Sequence, residues 1–74
     1  MSGRLPAIKA RDLVRILGQL GFTLVRQKGS HAFFHHSDGR NTSVPIHSGD
    51  IPRPVLHEIL KQIDVSEEEI RKYL

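Results

Sequence analysis

Two tight-turn signals stand near the middle of this 74-residue chain, and they constrain its fold more than any other feature. The first is Lys28-Gly29-Ser30, and the second is Asp38-Gly39 within the polar run 37–41. Glycine accepts backbone angles that other residues resist, and Asp-Gly is a strong hairpin signal. The chain around these turns is therefore predicted to reverse direction twice, as antiparallel strands do.

The segments that the turns separate have the composition of strands. Residues 22–27, 31–36 and 42–47 are rich in aromatic and β-branched side chains. Pro45 predicts that the third strand lies at a sheet edge. If the second turn uses five residues, His36 lies opposite Thr42 and His31 lies opposite His47. A two-residue Asp-Gly turn would shift the hairpin by one residue and mix its two faces, so we prefer the longer turn.

In this register, with a three-residue loop at residues 28–30 that places Leu24 opposite Phe34, the alternation of side chains separates a core face from an outer face. The predicted core face carries the apolar side chains Phe22, Leu24, Ala32, Phe34, Val44 and Ile46. The predicted outer face carries His31, Phe33, His35 and His47.

Helices are predicted on both sides of the strands. Leu13, Ile16, Leu17 and Leu20 form the stripe of an amphipathic helix that Gly21 ends. Proline-rich residues 51–54 lead into a second apolar stripe, Val55, Leu56, Ile59, Leu60 and Ile63. Ser66-Glu67-Glu68-Glu69 reads as a capping box that opens a short terminal helix with Ile70 and Leu74. We therefore expect an α+β domain with two layers, in the order α-β-β-β-α plus a short C-terminal helix.

Length and composition predict one domain over residues 1–74, with residues 1–8 as a flexible arm. The chain has no cysteine, which excludes a disulfide framework and thiolate metal sites. No apolar run approaches the roughly 20 residues of a membrane span, so we expect no membrane association and a cytoplasmic location.

The net charge is +3 and is unevenly distributed. Residues 1–40 carry seven basic side chains against two acidic ones, whereas the acidic side chains concentrate in the last third. A basic first half favours a polyanionic partner such as nucleic acid, but an ordinary solvated surface has the same charge.

The order of motifs resembles the HicA family of toxin ribonucleases over roughly residues 11–72. The resemblance rests on Gly29-Ser30-His31, on Val44-Pro45-Ile46-His47, and on the segment 59–62 in the second predicted helix. It implies a fold similar to double-stranded-RNA-binding domains and an endoribonuclease that cleaves mRNA and blocks translation. It also implies a HicB-like antitoxin as partner, and it assigns the family's essential histidine to His31.

The residues around His31 suit that chemistry. Imidazole titrates near neutral pH and can give or take a proton. Lys28, Gly29 and Ser30 are candidates for holding the phosphate through a cation, backbone N–H groups and a hydroxyl. His47, opposite His31 in the predicted register, is a second candidate, either for proton transfer or as an exposed contact.

Phe33 on the outer face is a candidate for stacking on an RNA base, or for burial by the antitoxin or by a second copy of the chain. We expect neither a metal nor a small-molecule cofactor, because His31 and His35 lie about 13 Å apart along one strand. Two alternatives remain open from the sequence: a non-catalytic RNA-binding module, and an interaction protein that acts through complex formation with an antitoxin.

Overall fold

The computed structural model describes residues 5–47 and 49–74, and it confirms the α-β-β-β-α layout with a three-stranded antiparallel sheet. Its elements are α1 (Ala10–Gln19), β1 (Thr23–Lys28), β2 (His31–His35), β3 (Asn41–Pro45), α2 (Arg53–Ile63) and α3 (Glu67–Arg71). The strands pair in sequence order, so β2 is central and β1 and β3 are the edges. The edge position predicted from Pro45 is confirmed.

The helix α1 forms because its apolar residues recur on one side. Leu13, Ile16 and Leu17 are fully buried, as their spacing predicted. The helix ends at Gln19, shortly before Gly21, and the N–H of Phe22 donates to the carbonyl of Leu17 at 2.9 Å. This backbone bond closes the last turn and directs the chain into β1.

The register between β2 and β3 differs by two residues from the predicted one. His31 lies opposite Pro45, and Phe34 lies opposite Thr42. The reason is the turn: the N–H of His36 donates to the carbonyl of Arg40 at 2.9 Å, and Gly39 has a φ of 101°. A three-residue loop with glycine in the left-handed region is a common hairpin closure, and it shortens the predicted five-residue turn.

The first turn is also shorter than predicted. Lys28 lies directly opposite His31, so only Gly29 and Ser30 form the loop. The predicted pairing of Leu24 with Phe34 is confirmed, and the register is shifted between Leu24 and Arg26. A bulge at this point explains how a shorter turn and the predicted pair coexist.

The two faces of the sheet have different surroundings. One face packs on the helices, with β3 contacting both α1 and α2, and its buried side chains are Ala32, Phe34, Thr42 and Val44. The opposite side, called the open face below, is not covered by any of the described helices. Strand pairing assigns to the open face Thr23, Arg26, Lys28, His31, Phe33, His35, Asn41, Ser43 and Pro45.

Two predicted core residues are not in the core. Leu24 is 51 % exposed because the whole of β1 projects beyond the helices, and all six of its residues are exposed. Ile46 lies beyond the end of β3 and is 36 % exposed. The core is instead completed by residues from the segments that flank the elements, among them Leu5, Ile8, Ile51 and Val65.

Part of the predicted N-terminal arm packs against the domain. Leu5 and Ile8 are 1 % exposed, and the N–H of Ile51 donates to the carbonyl of Ile8 at 2.8 Å. Arg53 also donates to the carbonyl of Leu5. Residues 1–4 of the arm lie outside the described residues.

The C-terminal helices follow the sequence pattern closely. Ser66 caps α3 by accepting a hydrogen bond from the N–H of Glu69 at 3.0 Å, as predicted. Ile70 is buried, whereas Leu74 lies outside α3 and is half exposed, contrary to the prediction. None of the described helices is long and apolar enough to cross a membrane.

Candidate functional site

The turn between β1 and β2 places a cation and an imidazole side by side on the open face. Lys28 and His31 are cross-strand partners, and both are exposed. Gly29 has a φ of 59°, which fits the two-residue hairpin that has glycine at its first central position. Directly opposed residues of an antiparallel pair have Cβ atoms about 5 Å apart, so both side chains can reach one phosphate group.

The turn is held at the end of the sheet rather than projecting freely. The carbonyl of Ser30 accepts a hydrogen bond from the N–H of Ile46 at 2.6 Å. Gln27 donates to the carbonyl of Gly29 at 3.3 Å. The backbone that carries His31 is therefore fixed from both neighbouring strands.

The His31 imidazole forms no hydrogen bond or ion pair with any residue in 5–47 or 49–74. Its β3 neighbour Pro45 has a side chain that neither donates nor accepts. Neither ring nitrogen is thus occupied by a residue that the structure describes, and such an imidazole at a fixed position is suited to proton transfer.

His47 does not lie opposite His31, so the predicted pairing of these two histidines is wrong. Pro45 occupies that place, and His47 comes two residues later, beyond the end of β3. The bond between Ile46 and Ser30 leaves the exposed His47 beside the turn. His47 is available for a contact at that end of the sheet but is not paired with His31.

Phe33 lies in the middle of the open face and is half-buried. The guanidinium carbon of Arg26 lies 4.8 Å from the centre of its ring, a cation–π contact. Ser43 is the neighbour of Phe33 on the other side. An aromatic ring with an arginine beside it is a surface on which a nucleobase can stack.

A second histidine of the open face is held by a neighbour, which the sequence interpretation missed. The Nδ1 atom of His35 lies 2.6 Å from the Oδ1 atom of Asn41. The two residues flank the second turn and are cross-strand partners. In the sequence, His35 and Asn41 stand on either side of the Asp38-Gly39 turn. With the correct register, this spacing would have predicted that the two side chains are neighbours.

The remaining charged cluster of the hairpin lies in the second turn. Arg40 donates to both carboxylate oxygens of Asp38, at 3.1 and 2.9 Å, and also to the carbonyl of Ile63 at the end of α2. The hydrogen bond from Arg40 holds the pKa of the Asp38 carboxyl below its ordinary value. This cluster attaches the hairpin to α2, and we assign it no role in substrate binding.

No three histidine or carboxylate side chains among the described residues are arranged to hold a metal ion. The only close histidine–carboxylate pairs described are His36 with Asp38, at 3.0 Å, and His57 with Glu67, at 3.2 Å. Each is a pair within or between neighbouring elements, away from the turn that carries His31.

Comparison with known families relates most of the chain to one protein family. The model of the HicA toxin of bacterial toxin–antitoxin systems matches residues 10–65, which include the whole sheet and α2. This chain belongs to the HicA toxin family. It is accordingly a toxin of a toxin–antitoxin system, and its partner is an antitoxin. None of the curated proteins matches the chain closely enough to add to this.

Proposed function

We propose that this chain is a metal-independent endoribonuclease that cleaves mRNA, with His31 as its catalytic residue. The single observation that carries the proposal is the position of His31. His31 is exposed at one end of the open face, on a fixed backbone and beside Lys28, and its imidazole forms no hydrogen bond or ion pair with a described residue. Membership of a toxin family supports the choice of an activity that harms the cell.

RNA cleavage without a metal requires two proton transfers at one phosphate. The ribose 2′-oxygen attacks the adjacent phosphorus and gives up its proton to a base. The bond from phosphorus to the 5′-oxygen breaks, and that oxygen accepts a proton from an acid. The products are a cyclic phosphate and a 5′-hydroxyl. The His31 imidazole carries out one of these transfers, which general acid–base catalysis typically accelerates about 10²–10⁴-fold.

The turn supplies the charge that the phosphate needs. Lys28 places a positive charge beside His31, where it stabilises the negative charge that develops on the phosphate oxygens. Ser30 brings a hydroxyl donor from the next position, and Gly29 leaves the approach to the backbone unobstructed, with no atom near its missing Cβ. His47 adds a contact beside the turn, and Phe33 stacks on a base.

An antitoxin of the HicB type neutralises the toxin in this proposal by covering the open face. That face is exposed, carries Arg26 and Lys28, and has no acidic residue among those assigned to it. An acidic surface on the antitoxin would therefore compete directly with RNA. The proposed location of both molecules is the cytoplasm, where mRNA is available.

The decisive experiment compares RNA cleavage by the parent and the His31→Ala variant, both purified free of antitoxin. We expect the variant to lose at least about 100-fold in cleavage rate, because proton transfer is removed. His57→Ala is the matched control, since His57 is an exposed histidine on α2. Its cleavage rate should equal that of the parent, and cleavage by the parent should survive EDTA.

Three outcomes would contradict the proposal. Equal cleavage by His31→Ala and the parent would remove His31 as the catalyst. Binding of RNA without cleavage by either protein would favour an RNA-binding module. Failure to bind RNA, together with tight antitoxin binding, would favour an interaction protein.

A further inference from the structure

The end of the open face away from the first turn holds its own polar pair. His35 and Asn41 are both exposed, and their side chains are joined at 2.6 Å. Four residues along β2 separate His35 from His31, which is about 13 Å at the strand's rise of ~3.3 Å per residue. The pair is thus too far from His31 to act on the same phosphate.

The hydrogen bonds of Asn41 determine which nitrogen of His35 carries the proton. The Nδ2 atom of Asn41 donates to the carbonyl of Gly39 at 3.1 Å, so the amide oxygen faces His35. That oxygen can only accept, so the hydrogen lies on Nδ1 of His35. In the neutral imidazole the Nε2 atom is then a hydrogen-bond acceptor, and it bonds to none of the described residues.

We propose that Nε2 of His35 accepts a hydrogen bond from the RNA, donated by a nucleotide adjacent to the one cleaved at His31. The inference rests on the proposed ribonuclease function and extends it to substrate recognition. The donor is a neutral group, either a ribose 2′-hydroxyl or a base amino group, because an acceptor nitrogen repels a phosphate oxygen. His35 thereby recognises a neutral donor group of the RNA, whereas Lys28 binds the charged phosphate backbone of the RNA.

The surface beside the pair has room for a base. A depression of about 470 Å³ borders the open face and is lined by Arg26, Phe33, Asn41 and Ser43 of that face, together with Val25, Phe34, Thr42 and Gln62. Phe33 lies two residues from both His31 and His35, about 7 Å along the strand from each. A base stacked on Phe33 would extend its hydrogen-bonding edge toward the neighbouring cross-strand pair of His35 and Asn41.

Ser43 gives the depression a second polar group. It is the β3 partner of Phe33, it is half-buried, and its hydroxyl bonds to none of the residues in 5–47 or 49–74. A hydroxyl can donate or accept, so it adapts to the base, whereas Nε2 of the neutral His35 imidazole with its hydrogen on Nδ1 accepts only. The discriminating group is therefore His35, positioned by Asn41.

The test measures RNA binding in the His31→Ala background, where cleavage is not needed. A mixed-sequence single-stranded RNA is compared with its all-2′-deoxy counterpart. We expect His35→Ala to weaken RNA binding about 3- to 10-fold, the effect of one lost neutral hydrogen bond. His35→Gln keeps an acceptor and should retain more of the affinity. His57→Ala is the matched control, because His57 is an exposed histidine on α2 and lies outside the open face, and it should bind as its background does.

The same comparison shows whether the donor is a ribose 2′-hydroxyl or a base amino group. If the donor is a 2′-hydroxyl, His35→Ala reduces the preference for RNA over DNA. If it is an amino group, that preference stays, and RNA lacking the exocyclic amino groups of adenine, cytosine and guanine binds the background protein as weakly as it binds His35→Ala. Asn41→Ala should weaken binding when His35 is present and have no effect when His35 is alanine.

Unchanged RNA binding by a folded His35→Ala protein would overturn the proposal. An effect of His35→Ala on antitoxin binding alone would also overturn it and would place the pair in the protein interface. A parent protein that fails to cleave RNA would instead contradict the ribonuclease function, while the binding comparison would still test His35.

Discussion

Lys28 is the cation closest to His31 on the open face, and its contribution is measurable through salt dependence. Lys28→Ala should weaken RNA binding and reduce the slope of log affinity against log salt by about 0.7, as expected for one lost phosphate contact with a single strand. Binding titrations at several salt concentrations in the His31→Ala background give this slope. Lys61→Ala, on the exposed side of α2, should leave it unchanged.

Gly29 is a residue whose backbone angle, rather than its surroundings, restricts substitution. Its φ is 59°, and a Cβ atom would meet nothing within 4 Å. Gly29→Ala should therefore lower the free energy of unfolding by about 1–2 kcal/mol through backbone strain alone. Gly18→Ala is the matched control, because Gly18 lies in α1 with equal open space and no such angle. Urea denaturation should show Gly18→Ala to be neutral or stabilising.

At the scale of elements, the β2–β3 hairpin is fastened to α2 by an acid-sensitive contact. Arg40 lowers the pKa of Asp38 in the folded state. The contribution of Asp38 is fully present above the ordinary aspartate pKa of about 3.9 and is lost as the pH falls through the lowered folded value. Parent and Asp38→Asn should therefore differ in urea stability at neutral pH and converge in acid. A difference that persists at low pH would contradict this.

The short helix α3 depends on its cap. Ser66 accepts the N–H of Glu69, and a lost cap costs about 1 kcal/mol. Ser66→Ala should increase amide exchange in α3 and around the single tyrosine, Tyr73, which packs against the core. Ser66→Asp should keep the protection, because aspartate is an equally good cap. Equal exchange in both variants would mean that packing of Ile70 alone holds α3.

The elements themselves were predictable because the stripes of α1 and α2 and the two turn signals are local. The register was not. Pairing Phe34 with Val44 or with Thr42 leaves Ala32, Phe34 and Val44 on the same face, since a shift of two residues preserves side-chain alternation. Hydrophobicity cannot distinguish these registers, and the backbone of the turn at Gly39 decides between them.

The same distinction explains what could be predicted of the site. Whether a β2 side chain lies on the open face depends only on alternation, so the placement of His31, Phe33 and His35 on the outer face is confirmed. Which side chains are neighbours depends on register. The predicted pairing of His47 with His31 is therefore wrong, and the contact between His35 and Asn41 was not predicted.

For the whole molecule, the small size leaves little stability to lose. At about 0.05–0.15 kcal/mol per residue, the free energy of unfolding of this chain is roughly 4–11 kcal/mol. Ile59 is 2 % exposed. Ile59→Ala should lower the free energy of unfolding by about 2–5 kcal/mol, which would remove most of it if the stability of the chain lies at the lower end of that range. Val55→Ala, on the same helix but at 36 % exposure, should cost far less. Urea denaturation checks both, and bound antitoxin should raise the stability of each variant.

Of the two helices that pack on the sheet, α2 makes the larger contact with β3 and comes after all three strands in the chain, and this has a consequence for synthesis. While a ribosome is still translating the segment before Arg53, residues 23–45 have no α2 to bury Phe34 and Val44. A chain arrested at that stage should be unfolded and harmless to the cell that makes it. The toxin can form only after Ile63 has left the ribosome, and an antitoxin already present at that moment meets the toxin as it first folds.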